Sequence, residues 1–349
     1  MRITLVLLAL AFALAVPYLA DWLGQPALMS LAIRILIYSI AAASLNFVLG
    51  YGGMVSFGHA AFFGIGSYVV GILFAHHVSE SPLLGFIPGS NQLLVTIPAA
   101  LIVSGLFAAA IGALSLRTSG VQFIMITLAF AQMLFFLFVS LKTYGGEDGI
   151  IIRQPNEFFG LNLRDRTTMY FVTLGFTVAF FLVLWRIVHS SFGAVLQGIR
   201  QNERRMAALG FSAYRYKLAA FVLSGMGAGL AGALLANFMR FASPDTLAWT
   251  KSGELMIMVI LGGVGTFFGP IFGAGAFLVL ENYLAGWTEH WPLALGVILL
   301  VVVLGTKGGI MALLDRIAPG RGAPPEAQPR PAAPPDAKPG AAPRQEAGE

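Results

Sequence analysis

From Leu93 to Leu116 the chain carries no charged side chain, and the same holds from Thr118 to Leu141. About 20 apolar residues make a helix long enough to cross a hydrocarbon core. At that depth no water satisfies the backbone, so only helices or a closed barrel can span it. The runs are too long and too uniformly apolar for the alternating strands of about ten residues that build a barrel. The fold class read from the sequence is therefore all-α, a polytopic transmembrane helical bundle.

Composition agrees: 57% of the 349 residues are hydrophobic and 11% are charged, against roughly 25% charged in a soluble domain. Length and hydropathy predict about ten spans. They are Ile3–Ala20, Leu28–Gly50, Met54–Ala75, Leu93–Leu116, Gly120–Leu141, Thr168–Val188, Tyr216–Met239, Gly253–Phe267, Phe268–Leu284 and Trp291–Thr306. The first resembles a signal sequence, but its charged start is Arg2 alone and another apolar segment follows soon after, so it reads as a retained span. The eighth is short, as a partial or tilted crossing would be. Residues 1–318 form one transmembrane domain. Residues 319–349 are Pro, Ala, Gly and scattered charges, a composition that buries too little apolar surface to offset ordering entropy, and read as a disordered cytoplasmic tail.

Orientation follows from Lys and Arg. With the Arg186–Lys217 loop inside, fourteen basic residues fall on the cytoplasmic side and six outside, and both termini are cytoplasmic. The net charge of +5 is the excess that such a bias produces, so nucleic acid is not the implied partner. With no cysteine, disulfides, thiolate metal sites and Cys nucleophiles are excluded. No G-x-x-x-x-G-K-[ST], H-E-x-x-H or G-x-S-x-G pattern occurs, so neither a Walker-type nucleotide site nor those hydrolase sites are present, and no metal site is expected. Any energy used must come from a partner.

The loop is the informative polar segment. Phe192, Val195, Leu196, Ile199, Met206 and Leu209 fall near a 3.6-residue period, while Arg200, Arg204 and Arg205 fall largely off it. This predicts a short helix over 197–210, apolar side on the bundle and charges outward, suited to a groove on a soluble partner or to lipid phosphates. Gly210 suits the helix end and Ser212 the cap of the next helix.

The segment Gly198–Gly232 resembles the cytoplasmic loop and following span of LivM-type permeases of branched-chain amino-acid ABC transporters. So do Leu45–Tyr68 (LNFVLGYGGMVSFGHAAFFGIGSY), the Gly145–Gly149 loop, where Tyr144 stands in place of a usual Thr, and Gly262–Thr266 with Phe267–Pro270. These matches run from about residue 30 to 314. The resemblance implies a non-catalytic permease subunit of a bacterial inner-membrane importer. Its partners would be a second related permease, two ATP-binding subunits, a periplasmic or extracellular substrate-binding protein, and the lipid bilayer. No cofactor is bound by this chain; ATP and Mg serve the partner subunits. The coupling contact maps to Glu203, Arg204, Arg205, Met206, Ala207, Ala208, Leu209 and Gly210.

Gly225 and Gly229, and Gly265, Gly269 and Gly273, repeat every four residues and are expected to let helices approach closely. Asn46, Ser56 and His59 are candidates for the translocation path, offering hydrogen bonds to a zwitterion; the other reading of their segment is a packed scaffold. Arg34 and Glu281 are expected to snorkel to the interface. The alternatives are a urea or short-amide permease of the same family, an ion-coupled secondary transporter, for which no Asp or Glu stands in the middle of a span, and a channel without a motor.

Overall fold

The computed structural model describes residues 13–18, 22, 24–82, 88–160, 163–287, 290–305 and 308–311. The tail 319–349 lies outside the described residues, and of the predicted Ile3–Ala20 span only 13–18 is described, as helix. Six helices are long and apolar enough to cross a membrane. They are α1 (Pro26–Asn46, continued by a π-helical turn Phe47–Tyr51), α2 (His59–Val78), α3 (Leu93–Ser115), α4 (Val121–Ser140), α5 (Arg166–Val188) and α8 (Ala213–Met239). Between α5 and α8 lie two short helices, α6 (Ser191–Gln201) and α7 (Glu203–Ala208). Three more follow: α9 (Trp249–Gly262), α10 (Gly269–Ala285) and α11 (Trp291–Gly305).

The centre of the bundle is α8, packed against α2, α3 and α1. Small residues make this possible, because packing rather than water expulsion draws helices together in lipid. A methyl group on Gly66 would collide with the backbone of Gly229, and one on Gly232 with the carbonyl of Phe63. Phe62, Phe63, Tyr68 and Phe221 fill the space around this seam and are fully buried. By contrast α4 exposes Val121, Met125, Met133 and Phe136, an apolar face fit for lipid.

The two ends of the bundle differ. One end carries α6 and α7. The other carries a two-residue antiparallel ladder, β1 (Ile150–Ile151) against β2 (Phe241–Ala242), which with an isolated bridge between Gln92 and Glu157 is the β structure among the described residues. The ladder and the positive-φ residues Gly145, Gly146 and Gly149 tie the Gly145–Gly149 loop to the end of α8.

The short C-terminal helices have a structural cause. After β2 the chain turns back along α2: Ala242 lies against Gly71, and Leu247, in the 3-10 turn Pro244–Leu247, lies against Gly64. The α9 helix then starts at half depth, where Ser252 Oγ accepts from Ala60 N (2.9 Å) and donates to Phe57 O (2.6 Å). Its 14 residues rise about 21 Å, short of the ~30 Å hydrocarbon core. So the helix in the predicted Gly253–Phe267 span is too short to cross alone and begins inside the bundle. Pro270 stands in the first turn of α10 and starts that helix rather than breaking it.

Candidate functional site

The loop between α5 and α8 differs from the single helix predicted over 197–210. Asn202 breaks it, with extended backbone (φ −158°, ψ 98°), and caps α7 by accepting from Arg205 N at 2.9 Å. The break shifts the helical phase. Val195, Leu196 and Ile199 of α6 are buried as predicted, Phe192 and Met206 are half-buried, and Leu209, expected on the same stripe, is exposed. Glu203, Arg204, Arg205, Ala207, Ala208 and Gly210 are exposed too, so α7 projects from the bundle. Gly210 (φ +89°) closes α7 in a Schellman arrangement: Phe211 N donates to Met206 O and Gly210 N to Ala207 O. Ser212 occupies the cap position of α8 but makes no side-chain cap bond. Lys217 of α8 pairs with Glu203 at 2.5 Å, holding α7 against the bundle.

Arg200, at the end of α6, is exposed over much of its surface but turns its guanidinium back to the joint. Its guanidinium donates to Gly50 O, and its stem covers Gly53. Gly50 in turn abuts Gly265 so closely that a methyl there would lie 2.5 Å from Gly265 N. Asn46 completes the joint. Its Oδ1 accepts from Gly265 N (2.9 Å) and its Nδ2 donates to Thr266 O (2.8 Å). The end of α1, the α9–α10 turn and α6 therefore meet in one place.

The other two path candidates are also interior. His59 is fully buried, its Nε2 2.7 Å from Ser224 Oγ, and Ser224 donates to Ser44 O. Among the described residues His59 Nδ1 has no hydrogen-bond partner. Ser56 is fully buried and accepts from Gly58 N at 3.1 Å. Ser44 and Ser224, but not His59, line an apolar cavity of about 300 Å3 walled by Phe47, Leu101, Phe180 and Leu223. Ser224 lies ~17 Å along α8 at 1.5 Å per residue, so the start of α2 is also an interior feature.

The glycines divide. Gly225 and Gly229 face Ala108 and Ser104 of α3, and Gly273 faces Met258 O of α9, all close helix contacts. Gly269 packs on Gly263 and Thr266 at the start of α10. Gly265 is corrected: it lies in the turn before α10 with φ +79°, a conformation that needs glycine, not on the helix face that the four-residue repeat implied.

Arg34 and Glu281, each expected to reach the interface, pair with one another at 3.2 Å between α1 and α10. Beside them Lys251 and Glu254 of α9 pair at 2.7 Å. Counted from the contact of Gly273 with Met258, Glu254, Lys251 and Glu281 lie within about 6 Å of one another in height, so the two pairs form one cluster. Sequence reading missed it because Arg34 and Glu281 are 247 residues apart. Among the described residues no group of three His, Cys, Asp or Glu is placed to hold a metal ion.

Comparison with known proteins gives a consistent picture. The family model for the branched-chain amino acid transport system permease component matches residues 27–304. The chain is similar to the high-affinity branched-chain amino acid transport system permease protein LivM of Escherichia coli K12, 28% identical over 313 residues, covering 82% of this chain and 70% of that one. The LivM protein of Salmonella typhimurium is 27% identical over 309 residues with the same coverage. A probable branched-chain amino acid transport permease protein LivM of Methanocaldococcus jannaschii is 24% identical over 294 residues, covering 75% of this chain and 82% of that one. No solved structure matches the chain.

Proposed function

The chain belongs to the branched-chain amino acid transport permease family, and on that premise we propose that it is the membrane subunit through which an ABC importer passes branched-chain or other hydrophobic amino acids. It crosses a bacterial inner membrane about ten times, with both termini in the cytoplasm. It pairs with a second related permease, and the two are served by two ATP-binding subunits and an external substrate-binding protein. ATP and Mg are used by those partners, and this chain performs no chemistry on the substrate.

One observation carries the mechanism: α7, tied to α8 by the Glu203–Lys217 pair, presents Arg204 and Arg205 outward, while the adjoining α6 is bonded through Arg200 to the joint of α1 with the α9–α10 turn. In the proposal a motor subunit grips Glu203–Gly210. Its closure pushes α6, and Arg200 delivers that displacement to Gly50 and onward to α1, α9 and α10. Asn46, Ser56 and His59 border the path as the pivot of this movement. They are at most 2% exposed in the packed state, so they touch substrate only when the joint opens.

The test is reversal of both Arg204 and Arg205 to Glu in the reconstituted complex. ATP-driven uptake is lost, or the ATP-binding subunits no longer co-purify, while this chain still inserts in the membrane. Unchanged assembly with unchanged uptake would remove the docking role. Uptake that persists under an ionophore separates this reading from an ion-coupled transporter.

A further inference from the structure

The charged cluster on α1, α9 and α10 occupies a position that lipid cannot cover. Gly273 of α10 meets the backbone of Met258 of α9. Counting from that contact at 1.5 Å per residue, Glu254, Lys251 and Glu281 stand about 6, 10 and 12 Å toward the ladder end. They share a narrow band beside the interior start of α9. The side chains of Arg34, Glu281, Lys251 and Glu254 are 31%, 24%, 29% and 29% exposed in the single chain. A charge facing hydrocarbon costs about 3 kcal/mol or more, so this face must meet protein or water. A dry interface would charge a heavy desolvation penalty for four ions. A water-lined passage would not.

We propose that the Arg34–Glu281 and Lys251–Glu254 pairs line the translocation path and bind the passing amino acid through its α-carboxylate and α-ammonium groups. Each pair offers one cation and one anion at nearly the same depth, the arrangement a zwitterion needs to exchange its water shell for partners of opposite charge. A groove of about 390 Å3, lined by Arg34, Arg166, Ser30 and Asn282, opens from the cluster toward the ladder end and gives an entry. The apolar cavity at Ser44 and Ser224 holds no charged side chain and would leave both ends of a zwitterion unmatched. The side chain of a branched amino acid is left to face the partner permease. The inference rests on the proposed function, since only a zwitterionic cargo gives the paired charges this role.

The chain has no cysteine, so an introduced one is its sole thiol. Leucine uptake by the wild-type complex is measured first; no ATP-driven uptake of branched-chain amino acids removes the functional reading and this inference with it. With uptake established, Lys251→Cys and, separately, Glu281→Cys are assembled in the full complex. Each is treated with a charged, membrane-impermeant methanethiosulfonate, with Met125→Cys on the lipid face of α4 as control. Position 251 or 281 reacts in at least one of the nucleotide-free and ATP-trapped states, and position 125 does not. Leucine protection is read at Asn282→Cys, which lines the groove beside Glu281 and leaves both pairs intact: leucine at about ten times its dissociation constant slows the reaction there about tenfold by occupancy. Failure of both positions to react in either state, in a complex that assembles, overturns the path assignment. Reaction that leucine leaves unchanged overturns the zwitterion contact.

Discussion

Asn46 holds Gly265 from across the bundle: its Oδ1 accepts from Gly265 N at 2.9 Å while its Nδ2 donates to Thr266 O at 2.8 Å. One amide side chain thereby replaces the partners that a tight turn next to α1 would otherwise lack. Asn46→Leu removes both bonds and strands two backbone groups, at about 1–3 kcal/mol each. The expected result is a clear drop in the thermal stability of the detergent-solubilised complex, read by aggregation or fluorescence. A variant as stable as wild type would contradict the clamp.

Arg200 is the link between α6 and that clamp through Gly50 O. A hydrogen bond from a charged donor contributes about 1.5–3 kcal/mol. Arg200→Ala should therefore weaken transmission without preventing assembly, lowering amino acid moved per ATP hydrolysed by roughly tenfold, the factor of ~1.4 kcal/mol. Simultaneous measurement of uptake and phosphate release in proteoliposomes checks it; an unchanged ratio places transmission elsewhere.

Glycine substitutions sort by neighbour. Gly66→Ala drives a methyl into the Gly229 backbone and must separate α2 from α8, so a loss of about 1–3 kcal/mol is expected. Gly175→Ala in α5 meets nothing within 4 Å, and helix propensity alone makes it neutral or stabilising by up to ~1 kcal/mol. Melting temperatures of the two variants in detergent should move in opposite directions, or the first alone should fall.

Asp165 caps α5, its Oδ2 accepting from Thr168 N (3.0 Å) and Thr168 Oγ1 (2.9 Å). The backbone and side-chain hydrogen bonds from Thr168 hold its carboxyl below the usual carboxylate value. A depressed folded value means the stabilisation is present above the unfolded carboxylate pKa and is lost as pH falls through the folded one. Because Asp165 is exposed the effect is small. Asp165→Ala should cost about 1 kcal/mol near neutral pH, and the gap between variant and wild type should close in acid. A gap that is constant with pH would contradict the charged cap.

How much of this was legible in the sequence depends on range. The Gly120–Leu141 span and the Val121–Ser140 helix nearly coincide because uniform hydropathy over about 20 residues is a local property. The exposure of Arg204 and Arg205 was likewise readable from the helical period. The break at Asn202 was not, because apolar residues continue near the same period on both sides; the signal was Asn202 itself, a strong cap residue. Gly265 was misassigned because a four-residue repeat carries no backbone angle. The start of α9 inside the bundle depends on contacts of Ser252 with Phe57 and Ala60, and the charged cluster on residues from both ends of the domain. No window along the chain contains either.

The central claim is that α7 is a handle on the cytoplasmic face, held by an ATP-binding subunit. Arg205→Cys, the sole thiol in this chain, tests it directly with a membrane-impermeant thiol reagent on sealed vesicles of both orientations. The account predicts labelling in inside-out vesicles alone, and protection when the ATP-binding subunits are present. Labelling from the outer face of right-side-out vesicles would contradict it.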